Sequence, residues 1–209
     1  MIDKGRVQFI TDPRPNFNPV EQARMVCARG ISWVQLRMKN STREEKLRMG
    51  KETAAVAHKH DAVFIVNDDV DLAAELGADG IHLGLDDEDP AIARKMLGRK
   101  AIIGGTCNTM EDIRLRKSQG VDYIGLGPYR FTSTKKRLSP ILGLQGMVKI
   151  MQQCREEDID IPVVAIGGIR VEDIAGLKEA GLHGVAVSSL IIDAADTSIR
   201  IQEIQEKIR

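Results

Sequence analysis

Little in this chain announces a function. Its three cysteines, Cys27, Cys107 and Cys154, are odd in number and far apart. No CxxC or Cys/His spacing points to zinc, and the sparse thiols suit a reducing cytoplasm. Aromatic residues make up 3% of the chain, with Trp33 the single tryptophan. That is too few to stack successive bases. Lys plus Arg equals Asp plus Glu at thirty each, so neither nucleic acid nor a membrane surface has a global electrostatic footprint to bind. Any anion site must be local. No apolar run is long enough for a membrane span or a signal peptide, and charges at Asp3, Lys4 and Arg6 open the chain. The "NST" sequon at Asn40 is accordingly read as chance. Linkers, low-complexity blocks and a second domain are all missing, and no Ser-His-Asp or paired-glutamate constellation supports a hydrolase.

What is present is an alternation. Short, nearly all-apolar runs begin at Val7 ("VQFI"), Trp33 ("WVQL"), Ala62 ("AVFIV"), Gly80 ("GIHL"), Ala101 ("AIIGG"), Val121 ("VDYIGL"), Pro162 ("PVVAIG") and Gly184 ("GVAVS"). Amphipathic stretches such as "PVEQARMVCARG", "TREEKLRMGKETAAVAHKH" and "VEDIAGLKEAG" lie between them. Strands apolar on both faces belong to a parallel sheet covered on both sides. Eight β-then-α units over residues 1–209 predict one (β/α)8 TIM barrel domain. A doubly wound sheet is the alternative, but "FITDPRPNFN" after the first strand is not a glycine-rich dinucleotide loop.

In such a barrel, chemistry belongs at the C-terminal strand ends. Those ends read "QLRMK" after strand two, "NDD" after three, "HLGLDD" after four, "GGTCNT" after five, "GPYRFTSTKK" after six, "IGGI" after seven and "VSS" after eight. Carboxylates thus follow strands three and four, and cations follow strands two and six. Mg²⁺ is usually held by one or two protein carboxylates with waters and substrate phosphates completing its shell. Asp68 and Asp87 suit that duty. Arg37, Lys39 and Lys135 would neutralise diphosphate oxygens, and Thr132, Ser133 and Thr134 would add hydroxyl donors. Gly167, Gly168, Ser188 and Ser189 stand where barrels frequently bind a phosphate. Each aspartate alone could be a helix cap, and the glycine pair alone a tight turn. Taken together, the rim suggests two phosphorylated substrates. His82 is expected to be a hydrogen-bonding support, Trp33 core, and Cys107 no nucleophile.

The motifs "QLRMK", "FIVNDDVDLA", "ADGIHLGLDD", "DYIGLGPYRFTSTKK" and "PVVAIGGI", in this order, resemble the thiamine-phosphate synthase family, also called thiamine-phosphate pyrophosphorylase. The resemblance implies a (β/α)8 barrel that joins hydroxymethylpyrimidine diphosphate to thiazole phosphate with Mg²⁺, releasing pyrophosphate. It implies that Gln35, Arg37, Lys39 and Asn67 bind the pyrimidine diphosphate and that Asp68 and Asp87 ligate the metal. Thr106 stands where the family usually has serine. Thr132 and Thr134 match the thiazole-phosphate hydroxyls, Lys135 the lysine on the diphosphate, and Gly168, Ser188 and Ser189 the thiazole-phosphate pocket. Lys135, Arg37 and Lys39 would carry catalysis by stabilising the leaving group. Leu85 departs from the family's glutamine, and Gly105-Thr106 from its Val-Ser. The rival readings are a thiazole tautomerase of the same superfamily, disfavoured by Asn108 where that branch has histidine, and a non-catalytic phosphate-ligand binder, which would need neither aspartate. A homo-oligomer is compatible with everything above.

Overall fold

The computed structural model describes residues 5–131 and 140–209. The strands are β1 (Val7–Ile10), β2 (Trp33–Leu36), β3 (Val63–Asn67), β4 (Gly80–Leu83), β5 (Ile102–Cys107), β6 (Tyr123–Leu126), β7 (Val163–Ile166) and β8 (Gly184–Val187). They pair in parallel in chain order, and β8 returns to β1 with Val7 opposite Val185. The barrel expected from the sequence is therefore closed.

Helices cover its outside: α1 (Pro19–Cys27), α2 (Arg43–Lys59), α3 (Val70–Leu76), α4 (Pro90–Leu97), α5 (Met110–Ser118), α6 (Gly143–Glu156), α7 (Ile174–Glu179), α8 (Ser189–Ile192) and α9 (Thr197–Ile208). Reciprocal capping boxes start α1 at Asn18 with Glu21, α2 at Thr42 with Glu45, and α5 at Thr109 with Asp112. Each satisfies backbone N–H groups that the first helical turn leaves without partners. No helix among the described residues is long and apolar enough to cross a membrane.

The all-apolar strands follow from two-sided burial. Side chains alternate across a strand, so one set fills the barrel and the other meets the helices. Ile10, Trp33, Val63, Ile65, Tyr123, Val164 and Ala186 form the inner cluster. Phe9, Val34, Phe64, Ile81, Ile103, Ile124, Ala165 and Val185 join the helix-facing core. The inner layer is shaped by small residues beside large ones. A Cβ on Gly104 would lie 2.1 Å from Tyr123 Cζ, so glycine there leaves the space the ring fills. That ring meets Trp33 edge-on, with centroids 4.8 Å apart.

Several boundaries differ from the sequence expectation. β3 runs on through Asn67, which remains in register with His82, and β5 runs on through Cys107, opposite Leu126. β6 starts at Tyr123: Val121 still closes the turn from α5 by donating to the Arg116 carbonyl, and Asp122 leads in by donating to the Ile103 carbonyl of β5. The stretch "VEDIAGLKEAG" divides into a 3-10 turn, Val171–Asp173, and α7.

Candidate active site at the C-terminal rim

The inward-facing rows of the barrel carry polar residues as they approach the C-terminal ends. In β2 the inward residues are Trp33 and then Gln35, and Arg37 and Lys39 follow the strand end. The Arg37 backbone N–H donates to Thr11 Oγ1 at 2.9 Å, tying the segments after β1 and β2 together. At the end of β3 stands Asn67, half-buried.

Asp68 follows in the left-handed region, at φ 66°, a conformation that aspartate tolerates better than most residues. Its backbone N–H donates to the His82 carbonyl at 2.9 Å, continuing the β3–β4 pairing by one residue. Its carboxylate lies 2.9 Å from Lys39 Nζ and near enough to Asp87 for the two carboxyls to perturb each other. Asp87 in turn accepts from the Gly84 N–H at 2.6 Å. Burial, then the hydrogen bond and charge of Asp68, push the Asp87 carboxyl up to about 6. Burial opposes ionisation of Asp68 too, but Asp87 and the Lys39 ammonium hold its carboxyl below the usual range. Two carboxylates in contact, one inclined to keep a proton, form an oxygen-donor pair that a hard divalent cation would satisfy better than a proton does. Among the described residues no group of three or more His, Cys, Asp or Glu gathers. The pair fits Mg²⁺, which needs few protein ligands.

Below the rim lies a buried polar relay that sequence reasoning passed over. Gln35 Nε2 donates to Gln8 Oε1 at 3.3 Å, and Gln8 Nε2 donates to the Tyr123 hydroxyl at 3.0 Å. The Tyr123 hydroxyl is 2.9 Å from His82 Nδ1, and His82 Nε2 is 3.0 Å from Thr106 Oγ1. Gln8 donates to the phenol oxygen, so its proton is directed to Nδ1. With Nδ1 facing the phenol, Nε2 is the nitrogen that donates to Thr106. The Thr106 hydroxyl keeps its own proton to donate elsewhere. His82 is thus the support it was expected to be, and Gln35 and Thr106 are two ends of one network. The available signal was a polar residue inside each of two otherwise apolar strands, Gln8 in "VQFI" and Tyr123 in "DYIGL".

On the opposite side of the mouth, Gly167 and Gly168 both take positive φ, 96° and 65°. The turn is packed: a Cβ on Gly168 would sit 2.9 Å from Arg130 Cβ. Ser188 Oγ at the end of β8 is buried and has no hydrogen-bond partner among the described residues. Ser189, beside it, is exposed and begins α8. An orphaned hydroxyl next to a glycine turn and a helix start fits a phosphate oxygen. Thr132, Ser133, Thr134 and Lys135 lie outside the described residues. Arg130, in the basic segment "GPYRFTSTKK", is committed to protein. Its Nη1 donates to the Gly168 carbonyl at 2.6 Å, and its fork spans both oxygens of Asp173 at 2.9 and 3.0 Å. Asn108 is buried and its amide donates to the Gly127 carbonyl. Leu85 is 42% exposed, so the family's glutamine is replaced by an apolar side chain at the open edge of the site.

A family model described as thiamine monophosphate synthase matches residues 7–191. The chain belongs to the thiamine-phosphate synthase family. It is 43% identical to the thiamine-phosphate synthase of Flavobacterium johnsoniae over 204 residues, covering 98% of this chain and 96% of that one. It is 47% identical to the Bacteroides fragilis thiamine-phosphate synthase over 190 residues, 91% of this chain and 93% of that one. The solved structure of thiamine phosphate pyrophosphorylase from Pyrococcus furiosus superposes with a TM-score of 0.85 at 31% identity, covering 99% and 96% of the two chains. Membership in the thiamine-phosphate synthase family makes the chain an enzyme, a transferase of thiamine biosynthesis acting on small molecules.

Proposed function

We propose that this rim couples hydroxymethylpyrimidine diphosphate to thiazole phosphate, yielding thiamine phosphate and pyrophosphate. The observation that carries the residue assignment is the Lys39–Asp68–Asp87 contact, where Lys39 Nζ stands 2.9 Å from an Asp68 carboxylate already in contact with Asp87. Asp68 and Asp87 would hold Mg²⁺, which when bound supplies positive charge to the departing diphosphate. Arg37 offers a planar fork to diphosphate oxygens and Lys39 a point charge. The Lys39 side chain is 52% exposed, free to turn from Asp68 to the ligand. Asn67 and Gln35 orient the pyrimidine diphosphate, and Thr106 donates its free hydroxyl proton toward it. Gly168, Ser188 and Ser189 receive the thiazole phosphate, with Thr132, Thr134 and Lys135 assigned by motif alone.

The chemistry this inventory supports is dissociative. The carbon–oxygen bond to pyrophosphate breaks first, the electron pair leaving with the diphosphate, and the thiazole nitrogen then donates its pair to the pyrimidine methylene carbon. Such a step needs charge stabilisation of a leaving group more than a strong base or nucleophile. His82, occupied on both nitrogens, is consistent with that demand. The cytoplasm is its proposed location, supported by three buried, unpaired thiols.

The test incubates purified protein with both substrates, with and without Mg²⁺, and follows thiamine phosphate and pyrophosphate. Coupling that disappears in chelator is expected. Full activity in excess chelator would remove the metal assignment. Thiazole isomerisation without coupling would favour a tautomerase.

A further inference from the structure

Arg116 in α5 is a buried cation that the coupling chemistry does not use. It is 3% exposed, and no carboxylate lies within ion-pair distance of it among the described residues. Its Nη1 donates to Gln119 Oε1 at 3.0 Å and its Nη2 to the Gly84 carbonyl at 2.6 Å, while Nε is buried without a partner. An interior guanidinium with so few acceptors opposes folding, and an apolar side chain of similar length would pack there at less cost. The arrangement makes sense through what Arg116 grips. Gly84 is the residue that holds Asp87: its N–H donates to Asp87 Oδ2 at 2.6 Å, and its carbonyl accepts from the Asp87 N–H at 3.4 Å. Gln119 extends the grip, its Nε2 donating to Asp89 Oδ2 at 3.0 Å, where Asp89 caps α4. The space for the Arg116 stem comes from Gly105. A Cβ there would lie 2.9 Å from Arg116 Cδ and 3.0 Å from Nε. The glycine that departs from the family's valine is thus the residue that admits the arginine.

We propose that Arg116 is a positioning residue for the metal site. By fixing the Gly84 carbonyl it fixes the turn from Gly84 to Asp87, and with it the Asp87 carboxylate against Asp68. The proposal rests on the reading of Asp68 and Asp87 as the Mg²⁺ ligands.

Arg116→Met removes the donors but keeps the stem, and Gly105→Ala displaces the stem but keeps the charge. Mn²⁺ titration of the substrate-free protein, followed by electron paramagnetic resonance, reads the site directly. Thermal unfolding reads the fold. Arg116→Met is expected to melt no lower than the wild type yet bind Mn²⁺ about tenfold more weakly, the usual scale for a residue that orients a ligand. Gly105→Ala is expected to weaken Mn²⁺ binding similarly. Mn²⁺ affinity within about twofold of wild type in either folded variant would overturn the proposal, as would parallel loss of melting temperature and affinity in both. Asp87→Ala serves as the control. If it binds Mn²⁺ like the wild type, the metal reading fails. Amide exchange at Gly84 and Asp87 then decides the positioning claim: faster exchange in Arg116→Met supports it, and unchanged exchange refutes it.

Discussion

Tyr123 is the residue on which the barrel interior turns, since its ring fills the space left by Gly104 and its hydroxyl links Gln8 to His82. Gly104→Ala places a methyl group against that ring in a closed layer. Overpacking of this kind costs about 1–3 kcal/mol, measurable by urea denaturation. Tyr123→Phe keeps the ring but strips His82 Nδ1 of its donor and Gln8 of its acceptor. A destabilisation on the order of 1–3 kcal/mol is expected for the buried groups left without partners. Because the His82 tautomer then loses its fixed assignment, the Michaelis constant for the pyrimidine diphosphate should also rise, whereas that for thiazole phosphate should not. Steady-state kinetics with each substrate varied in turn checks the split.

Loops and helix starts decide how the rim is held. Asp173, with its side chain 8% exposed, accepts from both Arg130 nitrogens, from the Tyr129 hydroxyl at 3.1 Å and from the Arg170 N–H at 2.7 Å. It thereby ties the end of β6 to the segment after β7. Burial pushes its carboxyl up, but Arg130, the Arg170 amide and Tyr129 outweigh it and hold the group below its ordinary value. A depressed carboxylate contributes stability that is present above its unfolded-state value and lost as pH falls through the folded one. Asp173→Asn should therefore lower stability at neutral pH by on the order of 1–3 kcal/mol. The gap between variant and wild type should close in acid, below the ordinary value of 3.8. Chemical denaturation at several pH values measures it. At a simpler site, Asn18→Ala removes one capping box and should cost about 1 kcal/mol.

At the scale of the whole molecule, closure of the barrel depends on an element that carries no chemistry. The helix α9 places Ile201, Ile204 and Ile208, all nearly fully buried, in the main core cluster beside β1 and α7. Burying each isoleucine is worth roughly 1.5–3 kcal/mol, and total stabilities of domains run only about 5–15 kcal/mol. Removal of residues 197–209 should therefore abolish a cooperative thermal transition and leave an aggregating chain, as scanning calorimetry and light scattering would show.

Much of this was legible in the chain. The (β/α)8 order followed from eight apolar runs separated by amphipathic ones, because a strand buried on both faces cannot alternate. The chemistry could be located because polar residues, glycines and aspartates recur just after those runs. What local reading could not reach were contacts between distant segments. Val121 looks like strand but closes the turn from α5. Arg130 looks like a cation for substrate but serves Asp173. Arg116 carries no local signal, yet is buried against Gly84, thirty-two positions earlier. The sequence by itself determined the period of its elements and the residue types at each strand end, since those depend on near neighbours along the chain. The tertiary structure alone decided which carboxylates neighbour each other, which hydroxyls His82 meets and which arginines face protein. Those outcomes depend on barrel closure, which brings groups from different strands within hydrogen-bonding distance.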